Sequence, residues 1–376
     1  MNCPRCAGGA FMFKEKLAKS MLPAGLYIAS LMRAHKSSIS AGLPDGIDED
    51  HFQDLCFGRF GKMPVNVFNQ PLSGWKATGA YRLYISFGRL RYRSMIYKAA
   101  LYSEENTPAL NGLPVSPGPP EYYIYKYAHD DLQRYLPDIF DCREIIPNIH
   151  YRYILEDLKP KYRIAQGVDD LMLCVKELFP LHKALNNGCV QILKENALKF
   201  DNAYRTRLSE YVKINLEEYV KEIRDDNVQV VLGDWDKIEK SLVDETVFDQ
   251  LSAGLIHGDY NRTNIHISGG KAPKIKLVDW EWTGFGLPHA DLASLLKGQK
   301  PEIEKRALKL YAEMDNTLDY KEHSDAYNWC QLERGLLDAG FLARHHLNSR
   351  GKVEWIPAYI SGAMRRVIFN YRNIEK

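Results

Sequence analysis

At about residue 159 the hydrophobic pattern of the chain changes its period, and this constrains the fold more than any other feature. Before that point short runs alternate apolar and polar residues, as half-buried strands do. They are VNVFNQ at 65–70, AYRLYISF at 80–87 and RYRSMIYKAA at 91–100. The turn PLSGWKATG, with Gly74 and Gly79, separates the first two. A loop rich in proline and glycine at 103–120 precedes EYYIYKYAHDDLQRYL, where Pro119-Pro120 suits a first helical turn. Strand-like pieces at roughly 139–146 and 150–158 follow. Beyond 159, helical segments at 168–186, 203–224 and 301–346 dominate, interrupted by strands and turns at 255–291. The pattern predicts a small sheet-rich lobe joined to a larger helical one.

Residues 1–66 read as an extension of unknown role. Gly42, Pro44, Gly46, Gly58, Gly61 and Pro64 punctuate it, which puts a boundary near 62–66. The run MLPAGLYIASLM at 21–32 follows Lys14, Lys16 and Lys19, but Pro23 interrupts it and no small-residue cleavage pattern follows. A leading helix is expected there rather than a signal peptide.

Charge and cysteine usage exclude several classes. The chain carries 50 Lys and Arg against 48 Asp and Glu, interspersed throughout, so no basic stripe for nucleic acid is expected. Arg89, Arg91 and Arg93 alternate as the solvated face of a strand would. No apolar run approaches the length that spans a bilayer, so no membrane association is expected. Of seven cysteines only Cys3 and Cys6 have C-x-x-C spacing, and a zinc ribbon needs a second such pair. The odd, scattered set fits a reducing compartment, and a cytoplasmic location is expected.

The chemistry concentrates in two short stretches. LIHGDYNRTNI at 255–265 crowds a histidine, an aspartate and two asparagines between apolar flanks. IKLVDWEW at 275–282 is an apolar strand that ends in Asp279, with Glu281 two positions on. A carboxylate at the end of a buried strand is costly unless a cation or donors satisfy it. Asp259, Asn264 and Asp279 are oxygen ligands of the kind that magnesium takes together with substrate phosphates. An Asx-rich turn with one buried histidine is the rival reading.

HGDYNRTN resembles the H-G-D-x-x-x-x-N loop of the aminoglycoside phosphotransferase and choline kinase group of small-molecule kinases. LVDWEW resembles their second acidic segment, the counterpart of the protein-kinase D-F-G. Gly258 stands where protein kinases carry arginine. The resemblance covers roughly 67–376. It implies an α+β, two-lobed, protein-kinase-like fold, with a small antiparallel-sheet N-lobe at 67–158 and a larger, mainly helical C-lobe at 159–376. It implies ATP and Mg²⁺ as cofactors and a small-molecule hydroxyl as acceptor. Carried over residue by residue, Asp259 matches the catalytic aspartate and His257 the loop histidine that fixes backbone geometry. Asn264 and Asp279 match the magnesium ligands. Lys98 matches the nucleotide lysine, with Glu121 as its partner, and Glu156 to Leu158 match the hinge that pairs with adenine. The phosphate loop departs from G-x-G-x-x-G, leaving Ser73, Thr78 and Gly79 as candidates, with a plain hairpin as the rival. His182 is expected to pack beneath the loop, and Asp291 to hydrogen-bond its backbone.

The acceptor is less legible. No acidic cluster for a polycationic sugar stands out in 301–376, where Asp325, Glu333 and Asp338 sit beside Arg334 and Arg344. Asp279 and Glu281 form the D-x-E that choline-type enzymes share, and Trp280, Trp282, Trp329 and Trp355 are candidates to hold a quaternary ammonium. The N-H-F stretch of choline kinases is absent. A sugar-like or natural-product alcohol is the leading expectation, and choline or ethanolamine the second. A nucleotide-binding pseudokinase scaffold is the alternative of another class; the full charged set argues against it. An unusual protein kinase is disfavoured by Gly258 and by the lack of an A-P-E-like segment.

Overall fold

The computed structural model describes residues 40–44, 46–72, 79–88, 92–101, 113, 116, 118–147, 149–188, 190–243 and 253–374. The expected helix at 21–32, the Cys3–Cys6 pair, Ser73 and Thr78 lie outside the described residues. The chain divides into two compact units, Met1–Leu101 with Pro137–Asp157, and Tyr102–Leu136 with Leu158–Lys376.

The first unit is built on one antiparallel sheet. Its strands are β1 (Ser40–Ala41), β2 (Asn66–Pro71), β3 (Ala80–Ser86), β4 (Tyr92–Leu101), β5 (Ile139–Ile146) and β6 (His150–Glu156), in the order β1-β2-β3-β4-β6-β5. The alternation read from sequence places each longer strand within about two residues, because inward aromatic and β-branched side chains fix the register. Across this sheet lies α1 (Glu49–Phe60). Asp48 caps its start by accepting the His51 N–H at 2.7 Å, and Gly61 closes it in the left-handed region at φ 67°. Phe52 and Cys56, both fully buried, pack on Leu83, Ile85, Met95, Tyr97 and Ile154. Emptying a buried phenylalanine site costs about 3–5 kcal/mol. Residues 40–66, part of the extension in the sequence reading, therefore belong to the sheet unit and its core.

The second unit begins with α2 (Pro120–Tyr127) and α3 (Asp130–Gln133). The sequence reading grouped α2 with the strands. It falls in the second unit because it packs on the Trp280–Trp282 turn and on α5. Next come β7 (Tyr162–Ile164), α4 (Gly167–Gly188), α5 (Val190–Asn196), β8 (Leu198–Lys199), α6 (Asn202–Glu222), α7 (Asp226–Gly233) and α8 (Trp235–Leu242). The functional segment supplies β9 (Gly254–Ile256), β10 (Ile265–Ser268), β11 (Ile275–Leu277) and β12 (Gly284–Gly286). These form two three-stranded sheets, β11-β10-β7 and β8-β12-β9. Four helices close the chain: α9 (His289–Leu296), α10 (Pro301–Met314), α11 (Tyr320–Asn348) and α12 (Ile356–Ile374).

The long helix expected over 301–346 is two helices, α10 and α11. Asp319 accepts the Glu322 N–H at 2.8 Å, and the Glu322 carboxylate accepts the Asp319 N–H at 2.6 Å. This reciprocal capping box starts a new helix where apolar periodicity alone suggested continuation. α11 packs against α6, α9 and α12 and so runs through the middle of the helical unit. Among the described residues no helix is long and apolar enough to cross a membrane.

Candidate active site

The β10–β11 hairpin brings the two functional stretches together. Ile265 pairs with Leu277 at its open end, so Asn264, one residue beyond that pair, and Asp279, two residues beyond it, leave from the same end of the hairpin. The Val278 N–H donates to the Asn264 carbonyl at 3.1 Å and locks the junction. Asp279 adopts φ 68° and ψ 61°, a left-handed conformation that costs a non-glycine residue about 1–2 kcal/mol. Aspartate tolerates it better than most, and the strained bend turns the chain sharply at the strand end.

Asp259 is held from two sides. Its Oδ2 accepts the Asn264 side-chain N–H at 2.9 Å, and Asn264 also donates to the Asp259 carbonyl at 3.0 Å. Its Oδ1 accepts from Arg334 Nη2 at 2.7 Å, while Arg334 Nη1 donates to the Gly258 carbonyl at 3.0 Å. Both amide protons of Asn264 are spent on Asp259, so its side-chain oxygen turns away from that contact. The Arg334 guanidinium loses solvation by burial, but Asp338 and Asp259 outweigh this and hold it well above its ordinary value.

Beneath the loop, Asp291 on α9 accepts the N–H of His257 and the N–H of Gly258, each at 2.8 Å, and lies 3.0 Å from His182 Nε2. Burial would push the Asp291 carboxyl up. The His182 hydrogen bond and charge, with His257, prevail and hold it below the usual carboxylate range. Sequence reading placed His182 and Asp291 in these supporting positions. His257 is fully buried, receives the Asp259 N–H on Nδ1 at 3.3 Å and lies against Trp280 at 4.4 Å. Its burial and its contacts fit the role of fixing the loop's backbone geometry. Tyr260, also fully buried, pins the loop to α4 by donating to the Cys174 carbonyl at 3.1 Å. Gly258 has φ +78°, and a Cβ there would stand 2.0 Å from the Trp282 carbonyl. Only glycine lets the loop lie this close to the acidic segment.

His289 on α9 pairs with His323 at 2.9 Å, and His323 reaches the Asp315 carbonyl at 2.9 Å. Burial, and then His323, lower the His289 pKa to about 3 from an ordinary 6.5. Between those values the unfolded chain binds a proton that the folded chain does not. Stability is therefore intact above pH 6.5 and falls as the pH drops below it, by about 2 kcal/mol between pH 6.5 and 5. Urea midpoints of the native protein and of His289→Gln over this range measure the effect, and the variant should lose this part of the pH dependence.

The other candidates are more dispersed. Lys98, half-buried, lies on β4 between Ala80 and Tyr153 in the first unit. Gly79 closes the β2–β3 hairpin, with its carbonyl accepting the Ala99 N–H at 2.9 Å. Glu121 is buried in the first turn of α2, in the second unit, and accepts from the Tyr125 hydroxyl at 3.1 Å. At the hinge expected over 156–158, the Glu156 N–H is donated to the Asp138 carbonyl at 2.8 Å, which takes that donor away from a nucleotide base. The Leu158 carbonyl accepts from Lys161 and Tyr162, so it too is occupied.

Of the four tryptophan candidates, Trp282 and Trp329 line one small cavity together with Gly258, Glu333 and Arg334. Trp280 and Trp329 are core residues; Trp329 donates to the Ser241 carbonyl at 2.9 Å and carries Arg205 over its ring at 4.5 Å. Trp355 lies exposed near the start of α12. Sequence reading missed Arg334 as a partner of Asp259. The only local signal was its i,i+4 pairing with Asp338, found 3.5 Å away, which reads as an ordinary helix-surface pair.

The oxygen set of Asn264 and Asp279 suits a hard divalent cation. Among the described residues no group of three or more His, Cys, Asp or Glu could hold an ion by itself.

This loop, hairpin and buried support belong to an α+β fold with one antiparallel-sheet unit and one mainly helical unit, of the protein-kinase-like type. A family model described as the phosphotransferase enzyme family matches residues 191–324, a span that includes both the Asp259 loop and Asp279. No curated protein matches the chain. Solved structures match it in fold at low identity. One is a GDP complex of a mutant aminoglycoside 2'-phosphotransferase-IIIa, at TM-score 0.54 and 14% identity, covering 87% of this chain and 98% of that one. Spectinomycin phosphotransferase in complex with ADP and spectinomycin matches at 0.53 and 14%, covering 88% and 99%. A choline kinase from Streptococcus pneumoniae matches at 0.53 and 14%, covering 86% and 99%. The expected resemblance, to aminoglycoside phosphotransferases and choline or ethanolamine kinases, is thus borne out.

Proposed function

We propose that the protein transfers the γ-phosphoryl group of ATP to a hydroxyl of a sugar-like or natural-product alcohol. The observation that carries this reading is the two-sided clamp on Asp259, beside the hairpin end where Asn264 and Asp279 both emerge. The acceptor oxygen attacks phosphorus, the bond from phosphorus to the bridging oxygen of ADP breaks, and the acceptor proton passes to Asp259. The transition state of such transfers is loose, so the proton moves late and a weak, well-placed base suffices. Arg334 and Asn264 keep the Asp259 carboxylate in one orientation. Asn264 and Asp279 are the residues that would hold Mg²⁺, which when bound neutralises charge on the phosphates. The ADP and GDP complexes among the fold relatives support nucleotide use.

The decisive experiment offers a panel of small alcohols with ATP and follows ADP release, with the phosphorylated product identified by mass. ATP bound but neither consumed nor transferred to any alcohol would refute the proposal and favour the scaffold reading. In the first unit, Lys98 is proposed as the lysine that meets the nucleotide phosphates, with Glu121 as a supporting candidate. Lys98→Met should lower kcat/KM for ATP by about tenfold or more, as loss of a charge-assisted phosphate contact does. Unchanged steady-state kinetics would move that role to another residue.

A further inference from the structure

Within the second unit a cavity of about 470 Å³ opens between α9, α11 and α12, and Arg334 forms part of its wall. Arg334, whose guanidinium holds Asp259, thus also lines this cavity, which marks it as the acceptor's place if the phosphotransferase reading holds. The volume suits a monosaccharide-sized molecule.

The charges on its wall are unequal. Lys297, Arg334 and Arg366 line it against one carboxylate, Asp338. Two of the cations are already matched: Arg334 by Asp259 at 2.7 Å, and Lys297 by Asp338 at 2.6 Å. Arg366 is the surplus. Among the described residues it has no carboxylate at ion-pair distance. The Glu304 carboxyl senses its charge: burial pushes that carboxyl upward, against the lowering effect of Arg366 and Gln331. The Arg366 guanidinium stands over the turn at Gly298, where a Cβ would meet it at 3.9 Å. Gly298 has φ +80° and follows Lys297 directly, and all three residues line the cavity. The aromatic option is closed as well. Tyr359 lines the cavity, but the Lys297 ammonium already lies 4.8 Å from its ring centroid. A quaternary ammonium finds neither a free aromatic face nor a surplus carboxylate there.

We infer that the acceptor alcohol is anionic, and that its carboxylate or phosphate group seats on Arg366 at the Lys297–Gly298 turn while its hydroxyl reaches toward Asp259. The inference rests on the phosphotransferase reading for the word acceptor, but the binding preference stands on the cavity alone. It separates this site from one built for a polycationic aminoglycoside or for choline.

The test compares glucose, glucosamine, glucuronate and glucose 6-phosphate, four molecules of one skeleton and different charge. Affinity is measured by calorimetry with a non-hydrolysable ATP analogue present, and transfer from ATP by mass. Glucuronate or glucose 6-phosphate should bind at least about tenfold more tightly than glucose, with glucosamine weakest, and the preference should shrink as salt is raised. Which of the two anions leads distinguishes a carboxylate from a phosphate seat. Arg366→Gln should remove most of the anion preference while changing glucose binding less than about twofold. Equal affinity across the panel, preference for glucosamine, or no anion binding at millimolar concentration would overturn the inference. Transfer to glucosamine or glucose in preference to the anions would overturn it while leaving the kinase reading intact. Charge-selective binding with no phosphorylated product would do the reverse.

Discussion

Asp259→Asn is expected to lower turnover by at least about a hundredfold while leaving nucleotide affinity within a few-fold. The substitution keeps the shape of the side chain and removes the proton acceptor. It also breaks the clamp, because both carboxylate oxygens now accept from N–H groups: Oδ1 from Arg334 and Oδ2 from Asn264. An asparagine offers one oxygen and sets its own N–H₂ against the other donor. The side chain is about four-fifths buried, so the lost charge-assisted bond should destabilise the protein by about 1–2 kcal/mol. Thermal unfolding of the variant separates that modest loss from the kinetic one. A variant that folds and turns over normally would refute Asp259 as the base. The companion variant Arg334→Gln leaves Asp259 in place without its cation. A fall in kcat with little change in KM for the alcohol is expected if Arg334 positions the carboxylate during transfer.

The second large effect is expected at Asp279. Asp279→Ala should reduce magnesium-dependent nucleotide affinity by about a hundredfold, since even supporting residues of metal sites are worth tenfold to a hundredfold. Calorimetry of ADP binding with and without magnesium reads the loss directly, and unchanged affinity would dismiss the metal role. The backbone adds a sharper test. Asp279 holds φ 68°, where glycine pays no steric penalty. Asp279→Gly should therefore remain at least as stable as Asp279→Ala, by about 1 kcal/mol, and lose the same metal dependence. Stability and affinity moving in opposite directions would identify the strain at this turn as retained for the site and not for the fold.

Much of the architecture was legible because it is local. Period-two alternation marked β2, β3, β4, β5 and β6, since one face of each strand must be apolar to pack. The helical period marked α4 and α6 nearly to their ends. The loop at 255–265 and the segment at 275–282 carried the family resemblance because their chemistry is contiguous. Reading failed where local signals competed. The helix expected over 301–346 hid the capping box at Asp319, whose two hydrogen bonds outweigh continued periodicity. The glycines and prolines of 42–64 suggested a boundary, yet Phe52 and Cys56 are core residues of the sheet unit. Of the tryptophans offered as a cage, Trp280 and Trp329 went to the core and Trp355 to the surface, because a large ring is buried by whichever neighbours surround it.

The sequence by itself determined the elements, the order of the lobes and the two strand-end turns that bear Asp259, Asn264 and Asp279. Each of these depends on residues within a few positions of one another. Only the tertiary structure decided that Arg334, 75 residues beyond Asp259, holds that carboxylate, that Asp291 gathers the His257 and Gly258 N–H groups with His182, and that Arg366 is left over in the cavity wall. These features depend on helices far apart in the chain that meet the 255–265 loop or one another. No pattern along the chain encodes them, because which side chains meet is set by how α9, α11 and α12 pack.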